Sequence, residues 1–586
     1  MARHEVTVRF SEIKSMLLPH QVSGVEWMLE RELDENYANM RSGILADDMG
    51  LGKTYQTAAL VKANECSTLI ITTKSTLGQW RDALQKIVGR NVSAIFNSLV
   101  ANELSPVDSP KNIFITTYET VVSQVELIKK TGGRRRSTVD ATRNLILRRY
   151  GRIVLDEAHL IRNRSTERFK AIMWLEANYR WALTGTPINN HINDLESLSE
   201  WIGVRLTGNP VLQKRYIMRR TMEHIHFDND GHARVPDIKT RIVIIRFSPQ
   251  EKSLYDHLEA DLTEQCCGGP AVTGSDRERA ISYATNIALH GREKSCRAME
   301  GILRLKQVCV HPLLFRDSLR KKMMRSSIQS IQSVDDQASQ RRDFALRLAS
   351  DIQCSSKIEY IANSIISHCV ADGDIKAVVF CEWLHEMDLI EESLQRNQAR
   401  RNQYISGSSD QRQEIEKEEN GSSPICLRFN GGLSIMERDD VITRFSSSDR
   451  SSISSRVMLV QIRAGGTGIN LQAASKVYVT SPNWNPCNEL QALSRAYRQG
   501  QTRQVECERV VLGGSIEEKC IELQQKKLYQ LDAILNTATC IQDKDDADAK
   551  DAPVGKGKQR ELTETDLLLK RMGFESFKKK RIDSTA

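Results

Sequence analysis

The chain has 586 residues, more than a single hydrophobic core usually supports, so its length predicts two or more domains. It has no apolar run of membrane-spanning length, and its first residues lack the pattern of a secretory signal, so we expect no membrane association. The 13 cysteines follow no disulfide framework, which predicts a reducing compartment, and the net charge of +8 suits a phosphate-backbone partner without requiring one.

The first informative segment is an apolar strand that leads into a glycine-rich turn, Asp47-Asp-Met-Gly-Leu-Gly-Lys-Thr54. In such loops the glycines let backbone N–H groups face phosphate oxygens, the lysine reaches the β- and γ-phosphates, and the threonine hydroxyl ligates Mg²⁺. An ordinary turn at a helix start is the alternative, which the downstream motifs disfavour. The segment therefore predicts a site for ATP and Mg²⁺. We expect the nucleotide to be bound by Asp48, Met49, Gly50, Leu51, Gly52, Lys53 and Thr54.

About a hundred residues later, the run Arg152-Ile-Val-Leu-Asp-Glu-Ala-His159 predicts a buried strand that ends in two carboxylates. Ligands of open α/β sheets bind at the carboxyl ends of the strands. Asp156 is expected to hold Mg²⁺ together with Thr54, and Glu157 to orient and deprotonate the attacking water. An isolated Asp-Glu pair is more often a solvated helix start, but here it follows a buried apolar run and a phosphate loop.

Strand-like runs alternate with amphipathic stretches in two sets, which predicts an α/β protein of two parallel-sheet lobes. The predicted strands are Thr68–Thr73, Ile113–Thr117, Ile153–Leu155 and Trp181–Thr184, then Ala377–Cys381, Val457–Ile462 and Lys476–Thr480. We expect a first ATP-binding lobe at 13–204, a helical protrusion region at 205–315, a polar interlobe linker at 316–355, a second lobe at 356–535 and a charged flexible tail at 536–586.

The second lobe contains Gln491, Arg495 and Arg498, whose i, i+4, i+7 spacing predicts one shared face of a helix. Two arginines on that face could stabilise the charge that develops on a γ-phosphoryl group. Because the first 200 residues offer no such face, we expect the arginines to reach the nucleotide from the second lobe. A site divided in this way is typical of a motor, in which hydrolysis opens and closes a cleft.

These motifs, in this order, resemble the superfamily 2 helicase-like ATPases of the Swi/Snf group. The resemblance also includes Leu17-Leu-Pro-His-Gln21, Ala182-Leu-Thr-Gly-Thr-Pro-Ile-Asn-Asn190 and Gln461-Ile-Arg-Ala-Gly-Gly-Thr-Gly-Ile-Asn-Leu471, and it extends from about residue 13 to residue 535. It implies two RecA-like lobes with helical protrusions, adenine recognition by Gln21, and a nucleotide contact by Gly466.

The same resemblance implies contacts with nucleic acid. Strand ends in the first lobe and motifs in the second are expected to face the phosphate backbone. The implied contact residues are Lys74, Thr116, Thr117, Arg463, Thr467 and Trp484. Two departures from the family pattern, Thr73 in place of proline and Ser481 in place of aspartate, concern one nucleic-acid contact and the coupling between the lobes.

Within the group, Asp47–Thr54 and Asp156–Asn163 are most similar to the branch of helicase-like transcription factor, transcription termination factor two and the postreplication-repair ATPases. Many of those enzymes carry a RING zinc domain between the lobes. This chain has no Cys-x-x-Cys, and a RING requires paired ligands at about that spacing. We therefore expect neither a RING domain nor intrinsic zinc.

The function expected from this resemblance is an ATP-dependent translocase on double-stranded DNA that remodels or displaces protein–DNA complexes in chromatin, transcription or repair, with nucleosomes as a candidate partner. A strand-separating DNA or RNA helicase and a non-cycling DNA-binding scaffold are the alternatives. We expect the protein to be a monomer. We also expect it to act in the nucleus, because the basic cluster Lys578-Lys-Lys-Arg581 near the end of the tail can serve as a nuclear import signal.

Overall fold

The structure, a computed structural model, describes residues 2–34, 41–89, 93–94, 112–130, 148–187, 193–222, 238–267, 295–326, 336–407, 424–447, 455–465, 469–498, 500–536 and 572. These residues form two parallel β-sheets, each flanked by helices. No helix among them is both long enough and apolar enough to cross a bilayer. The predicted α/β architecture of two lobes is confirmed.

The first lobe is built on seven strands in the spatial order β3-β4-β2-β5-β6-β1-β7, with parallel pairing throughout. The strands are β1 (Ser42–Leu45), β2 (Thr68–Thr72), β3 (Ser93–Ala94), β4 (Ile113–Thr117), β5 (Arg149–Asp156), β6 (Glu176–Leu183) and β7 (Ile217–Met218). The central strands are continuous apolar and β-branched runs because both faces of the sheet are covered.

Among the described residues of this lobe, eight helices cover the sheet. They are α1 (Ala2–Lys14), α2 (Pro19–Leu33), α3 (Lys53–Ala63), α4 (Leu77–Val88), α5 (Tyr118–Lys130), α6 (Glu167–Ile172), α7 (Asn193–Ile202) and α8 (Pro210–Tyr216). A short 3₁₀ turn at Ala158–Ile161 follows β5. The phosphate loop follows β1. Asp156 is the last residue of β5 and Glu157 follows it, so the loop and the two carboxylates lie at the carboxyl edge of one sheet.

The second lobe is built on six strands in the order β10-β11-β9-β12-β13-β8, again paired in parallel. The strands are β8 (Lys239–Ile245), β9 (Lys376–Cys381), β10 (Ile425–Phe429), β11 (Arg456–Gln461), β12 (Lys476–Val479) and β13 (Glu506–Leu512). The accompanying helices are α9 (Pro249–Cys267), α10 (Ser295–Val310), α11 (Pro312–Ser326), α12 (Asp336–Asp351), α13 (Ser356–Ala371), α14 (Leu384–Gly407), α15 (Ile435–Ser446), α16 (Ile462–Gly465), α17 (Pro486–Ala496) and α18 (Ile516–Asn536).

The structure differs from the predicted boundaries between the lobes. The region 205–315, expected to be helical, also contains β7 in the first sheet and β8 at the edge of the second. The segment 316–355, expected to be a polar linker, contains most of α11 and all of α12. The polar composition of this segment led to the prediction of a linker because only one narrow face of α12 is buried. On that face, Ala345 and Ala349 pack in a cluster with Leu254 and Tyr255 of α9.

The two ends of the chain also depart from prediction. Helix α1 begins before residue 13 and packs into the first-lobe core through Val6, Phe10 and Ile13, which are spaced for one helix face. Met572, in the segment predicted to be a flexible tail, is fully buried in the core of the second lobe.

Candidate functional site

The phosphate loop adopts the strained backbone that its glycines permit. Gly50 and Gly52 have φ of 95° and 77°, in the left-handed region, and Gly52 is the residue from which α3 begins. A Cβ on Gly52 would lie 2.2 Å from Nε2 of Gln21, so a side chain there would displace Gln21 and also strain the backbone at this positive φ. The loop therefore directs the first N–H groups of α3, including that of Thr54, toward one point.

Lys53 lies inside this loop. Its Nζ donates hydrogen bonds to the backbone oxygens of Asp47, at 2.7 Å, and Asp48, at 3.2 Å. Burial lowers the pKa of Lys53, and the largest opposing effect on this pKa comes from the negative charge of Glu157. A desolvated ammonium at the N-terminal end of a helix is a binding position for a polyanion.

Gln21 and its neighbour His20 pack against the loop. Gln21 Nε2 donates to the backbone oxygen of Leu51 at 3.3 Å, and His20 Nε2 lies 3.0 Å from the same oxygen. The side chain of Gln21 also accepts from the N–H of Leu18 at 3.1 Å, which fixes its orientation at the start of α2. The predicted adenine-reading glutamine is thus held beside the phosphate loop.

Arg220 is a site residue that the sequence analysis missed. Its guanidinium donates to both carboxylate oxygens of Asp47, to Oε1 of Gln56 at 3.0 Å and to the backbone oxygen of His20. Asp47 is fully buried, and Gln56 Nε2 also donates to it at 3.0 Å. The available signal was Asp47 itself, because a buried carboxylate at the end of an apolar strand requires a cationic partner.

Asp156 is positioned by donors from three other elements, β2, α4 and α5. Its Oδ2 accepts from Thr72 Oγ1 and from Trp80 Nε1, each at 2.7 Å, and its backbone oxygen accepts from the Tyr118 hydroxyl at 2.7 Å. Desolvation, and then the charge of Glu157, raise the pKa of Asp156. Two adjacent carboxylates in so dry a place fit a divalent cation, and Thr54 offers the hydroxyl oxygen that Mg²⁺ prefers.

Glu157 follows Asp156 with φ of 49°, the single non-glycine residue with positive φ in the part of the chain that the structure describes. Strained backbone of this kind is found disproportionately at functional sites. Glu157 Oε2 lies 3.4 Å from His159 Nδ1. Burial lowers the pKa of His159, which favours the neutral imidazole.

The second lobe supplies arginines to this place. Arg495 Nη2 lies 3.9 Å from Glu157 Oε1, although 338 positions separate the two residues. Burial lowers the pKa of Arg495 and, in the same way, that of Arg498. Arg498 packs over Gly50, where a Cβ would lie 3.3 Å from Arg498 Cγ. Gln491 lines a cavity between the lobes together with Met49 and Thr186.

The predicted shared helix face is correct for Gln491 and Arg495 but not for Arg498. Helix α17 ends at Ala496, because Tyr497 has extended backbone with φ of −92° and ψ of 91°. Arg498 therefore lies beyond the helix end and reaches the phosphate loop from a turn that Gly500, with φ of 90°, completes.

The residues implied to contact nucleic acid are not all placed for that role. Lys74 is exposed beyond β2. Thr116 and Thr117 are buried at 0 % and 2 % exposure, and Thr117 Oγ1 instead bonds to Thr120 at the start of α5. Both side chains are buried under the helices that cover β4, and a contact of these residues with a phosphate backbone stays a prediction.

The structure describes the second-lobe residues of this group less completely than those of the first lobe. Trp484 is half-buried, with its ring 5.8 Å from Lys306 Nζ. Arg463 is on α16, where the structure describes its backbone alone, and Gly466 and Thr467 lie outside the described residues.

Comparison with known proteins agrees with this geometry. Residues 20–213 match the SNF2-related domain, and residues 422–500 match the helicase conserved C-terminal domain. The chain is 25 % identical to the DNA repair protein RAD5 of Yarrowia lipolytica, over 83 % of this chain and 55 % of that protein. It is 26 % identical to a probable global transactivator of Orgyia pseudotsugata multicapsid polyhedrosis virus, over 87 % and 90 % of the two chains.

A RAD54-like DNA repair and recombination protein of Drosophila yakuba is 24 % identical over 88 % of this chain and 62 % of its own length. The chain thus spans between about half and two thirds of the length of the RAD5 and RAD54-like relatives. The SWI2/SNF2 ATPase core of Sulfolobus solfataricus, solved in complex with double-stranded DNA, is 26 % identical over 90 % of this chain and 94 % of its own, with a TM-score of 0.30.

Proposed function

We propose that this chain, which matches the SNF2-related domain and the helicase conserved C-terminal domain, is an ATP hydrolase of the Swi/Snf group that translocates along double-stranded DNA and thereby displaces or remodels bound proteins. The observation that carries the proposal is the approach of Arg495, in the second lobe, to Glu157, in the first. A hydrolytic site assembled from two lobes couples each turnover to a change in their separation.

The chemistry proposed for the site uses residues already in position. Lys53 would neutralise phosphate charge within the loop, and Glu157 would orient and deprotonate the attacking water. Arg495 and Arg498 would stabilise the charge that builds on the γ-phosphoryl group, and Gln21 would orient the adenine. Mg²⁺, when bound, would neutralise further phosphate charge, and Thr54 and Asp156 are the residues suited to hold it.

Lobe motion would then convert hydrolysis into stepping. Closure of the lobes would bring Arg495 and Arg498 onto the triphosphate, and loss of the γ-phosphate would remove the charge that holds them there. Alternating grip of the two lobes on the phosphate backbone would advance the duplex. Phosphate contacts carry little sequence information, so we expect sequence-independent binding that weakens steeply with salt.

DNA as the partner is supported by the relatives, two of which are named DNA repair proteins, and by the net charge of +8. We propose Lys74, which is exposed, as a phosphate contact. Nucleosomes are a candidate obstacle, and the Lys578–Arg581 cluster is a candidate nuclear import signal.

The test uses two substrates side by side. A translocase should displace the third strand of a DNA triplex in the presence of ATP but should not separate a fluorescent duplex, and DNA should stimulate phosphate release. Separation of the duplex would instead favour a helicase. DNA binding without stimulated phosphate release would favour a scaffold. Comparing ATPase rates on free DNA and on nucleosomes tests the proposed obstacle.

A further inference from the structure

A small cavity between the lobes lies beside the phosphate loop. The first lobe lines it with Met49, Thr186 and Arg219, and the second lobe lines it with Gln491 and Ser494 of α17. Its volume is about 40 Å³, which gives room for roughly three water molecules. A tetrahedral oxyanion fits a space of this size, whereas a nucleotide does not.

The cavity is separate from the position expected for the intact triphosphate. Lys53, Asp156 and Glu157 are not among the described residues that line it. Its first-lobe wall nevertheless packs directly on the phosphate loop, since a Cβ on Gly185 would lie 2.7 Å from Met49 Cγ. The cavity is therefore a neighbouring position, outside the loop that surrounds the phosphates.

Arg219 reaches this cavity because of the way the chain runs past the phosphate loop. Beyond β7 the segment stays paired with the loop, where the N–H of Asp48 donates to the backbone oxygen of Arg220 at 2.8 Å. Successive side chains of a strand face opposite sides. Arg220 bonds to Asp47 on one side, and Arg219 faces the second lobe on the other.

The cavity presents positive charge to α17. Burial raises the pKa of the Cys487 thiol, at the start of α17, to about 12, and the largest opposing effect on this pKa comes from the positive charge of Arg219. Asp48 is the one acidic residue among the described residues that line the cavity, and its Oδ2 accepts from the N–H of Met222 at 3.4 Å. A guanidinium has five N–H donors and a side-chain amide has two, so Arg219 and Gln491 can bind an oxyanion while each keeps another partner.

Helix α17 connects the cavity to the place where the γ-phosphate would be cleaved. Gln491 lies about one helical turn before Arg495 on the same face. Arg495 Nη2 is 3.9 Å from Glu157 Oε1, and Glu157 is the residue proposed to activate water. A phosphate cleaved beside Glu157 would thus lie about one turn of α17 from the Gln491 amide.

We propose that this cavity is a transient binding site for the inorganic phosphate that hydrolysis produces, held by Arg219 together with Gln491 and Thr186. The proposal rests on the ATP hydrolysis proposed above and adds a product site to it. Because the walls belong to both lobes, phosphate bound here stabilises their closed arrangement, and its departure accompanies their separation.

The first test measures phosphate binding without turnover. Equilibrium dialysis of the full chain with radiolabelled inorganic phosphate, in the presence of Mg²⁺, ADP and DNA, gives the affinity. Arg219→Gln should weaken this affinity about tenfold, because hydrogen bonds from a charged donor are lost. Arg219→Lys, which keeps the charge but not the planar fork, should lie between the two. Arg215→Gln, which removes a surface guanidinium 3.5 Å from Asp34, is the matched control and should bind phosphate as wild type does.

The second test separates the product from the substrate. Added inorganic phosphate should inhibit ATP hydrolysis by the wild type. Arg219→Gln should raise the inhibition constant of phosphate about tenfold, while KM for ATP changes by less than about twofold. A general loosening of the fold would raise both constants together.

Three results would each overturn the phosphate site: no phosphate binding by wild type, unchanged phosphate affinity in Arg219→Gln, or equal rises of the inhibition constant and of KM in this variant. If Arg219→Gln does not fold, Arg219→Lys is judged by the same criteria, with an expected change of about threefold. Failure of the proposed function looks different. A wild-type protein that hydrolyses no ATP, or does so without stimulation by DNA, would contradict that function while leaving the dialysis result unchanged.

Discussion

The two halves of the proposed ATP site are held in different ways. In the first lobe, Asp47 and Asp156 are fixed by donors from their own lobe, namely Arg220, Gln56, Thr72 and Trp80. In the second lobe, Arg495 and Arg498 are placed by the end of a helix, and the groups they face belong to the first lobe. The difference implies that nucleotide binding is a local property of one lobe, whereas turnover requires both.

Lys53→Ala should have the largest effect, and it tests the claim that nucleotide binding is a property of the first lobe. The loop loses the buried ammonium that neutralises phosphate, so both ATP binding and turnover should fall, turnover by more than about 10³-fold. Titration with a fluorescent ATP analogue and a phosphate-release assay measure the two quantities. Lys62→Ala, at the far end of α3, is the matched control and should resemble wild type. Intact ATP binding in Lys53→Ala would contradict the placement of the phosphates.

Arg495→Ala and Arg498→Ala should separate binding from turnover. Because these residues act on charge that develops in the transition state, kcat should fall by about 10³ while ATP affinity changes little. The control is Arg503→Ala, which removes a surface guanidinium paired with Asp374 and should leave kcat unchanged. Equal losses of affinity and of kcat would show that the two lobes bind ATP together and would remove the distinction drawn above.

Arg220→Gln should have a smaller effect, confined to the first lobe. It leaves the buried Asp47 carboxylate without its cationic partner, so the loop should loosen and ATP affinity should fall about tenfold, corresponding to roughly 1.4 kcal/mol. The double variant Asp47→Asn with Arg220→Gln removes both charges and should recover part of the affinity. No recovery in the double variant would indicate that Arg220 acts through some group other than Asp47.

Glu32→Gln should lower the stability of the first lobe and should have the smallest effect of these variants on kcat. Glu32 and Arg152 form a fully buried pair in the first lobe, with Nε to Oε1 at 2.6 Å, and Trp181 also donates to Glu32. Breaking such a pair costs about 3–5 kcal/mol of folding free energy, so the first lobe should unfold at a lower temperature. The value of kcat at about 20 °C or below should stay near that of wild type. Calorimetry measures the unfolding temperature, and an ATPase assay measures kcat. Lys357→Met, which breaks the Lys357–Glu517 pair, should lower the unfolding temperature of the second lobe instead.

Local pattern predicted much of this molecule. The apolar runs at Thr68–Thr73 and Ile113–Thr117 became β2 and β4 within a residue, because a parallel strand covered on both faces is a continuous apolar run. The loop from Asp47 to Thr54 and the carboxylates after β5 were identified because their chemistry depends on residues that are adjacent in sequence.

Features that depend on distant partners were missed. Strand β8 could not be assigned to the second sheet because its neighbour, β13, lies far along the chain, with Arg241 opposite Glu508, 267 positions later. Arg220 and Met572 were missed for the same reason, since the buried groups that they satisfy, Asp47 and Arg509, are also distant in sequence. Burial of Thr116 and Thr117 likewise follows from the helices that cover β4.

The most direct test of convergence between the lobes uses a natural thiol. Met49, in the phosphate loop, and Cys487, at the start of α17, line the same cavity between the lobes. In Met49→Cys treated with dibromobimane, a short thiol cross-linker, mass spectrometry should find the peptide of residue 49 joined to that of Cys487, and this product should be absent from wild type. If dibromobimane labels both position 49 of the variant and Cys487 but never links them, with or without ATP, the shared site would be contradicted.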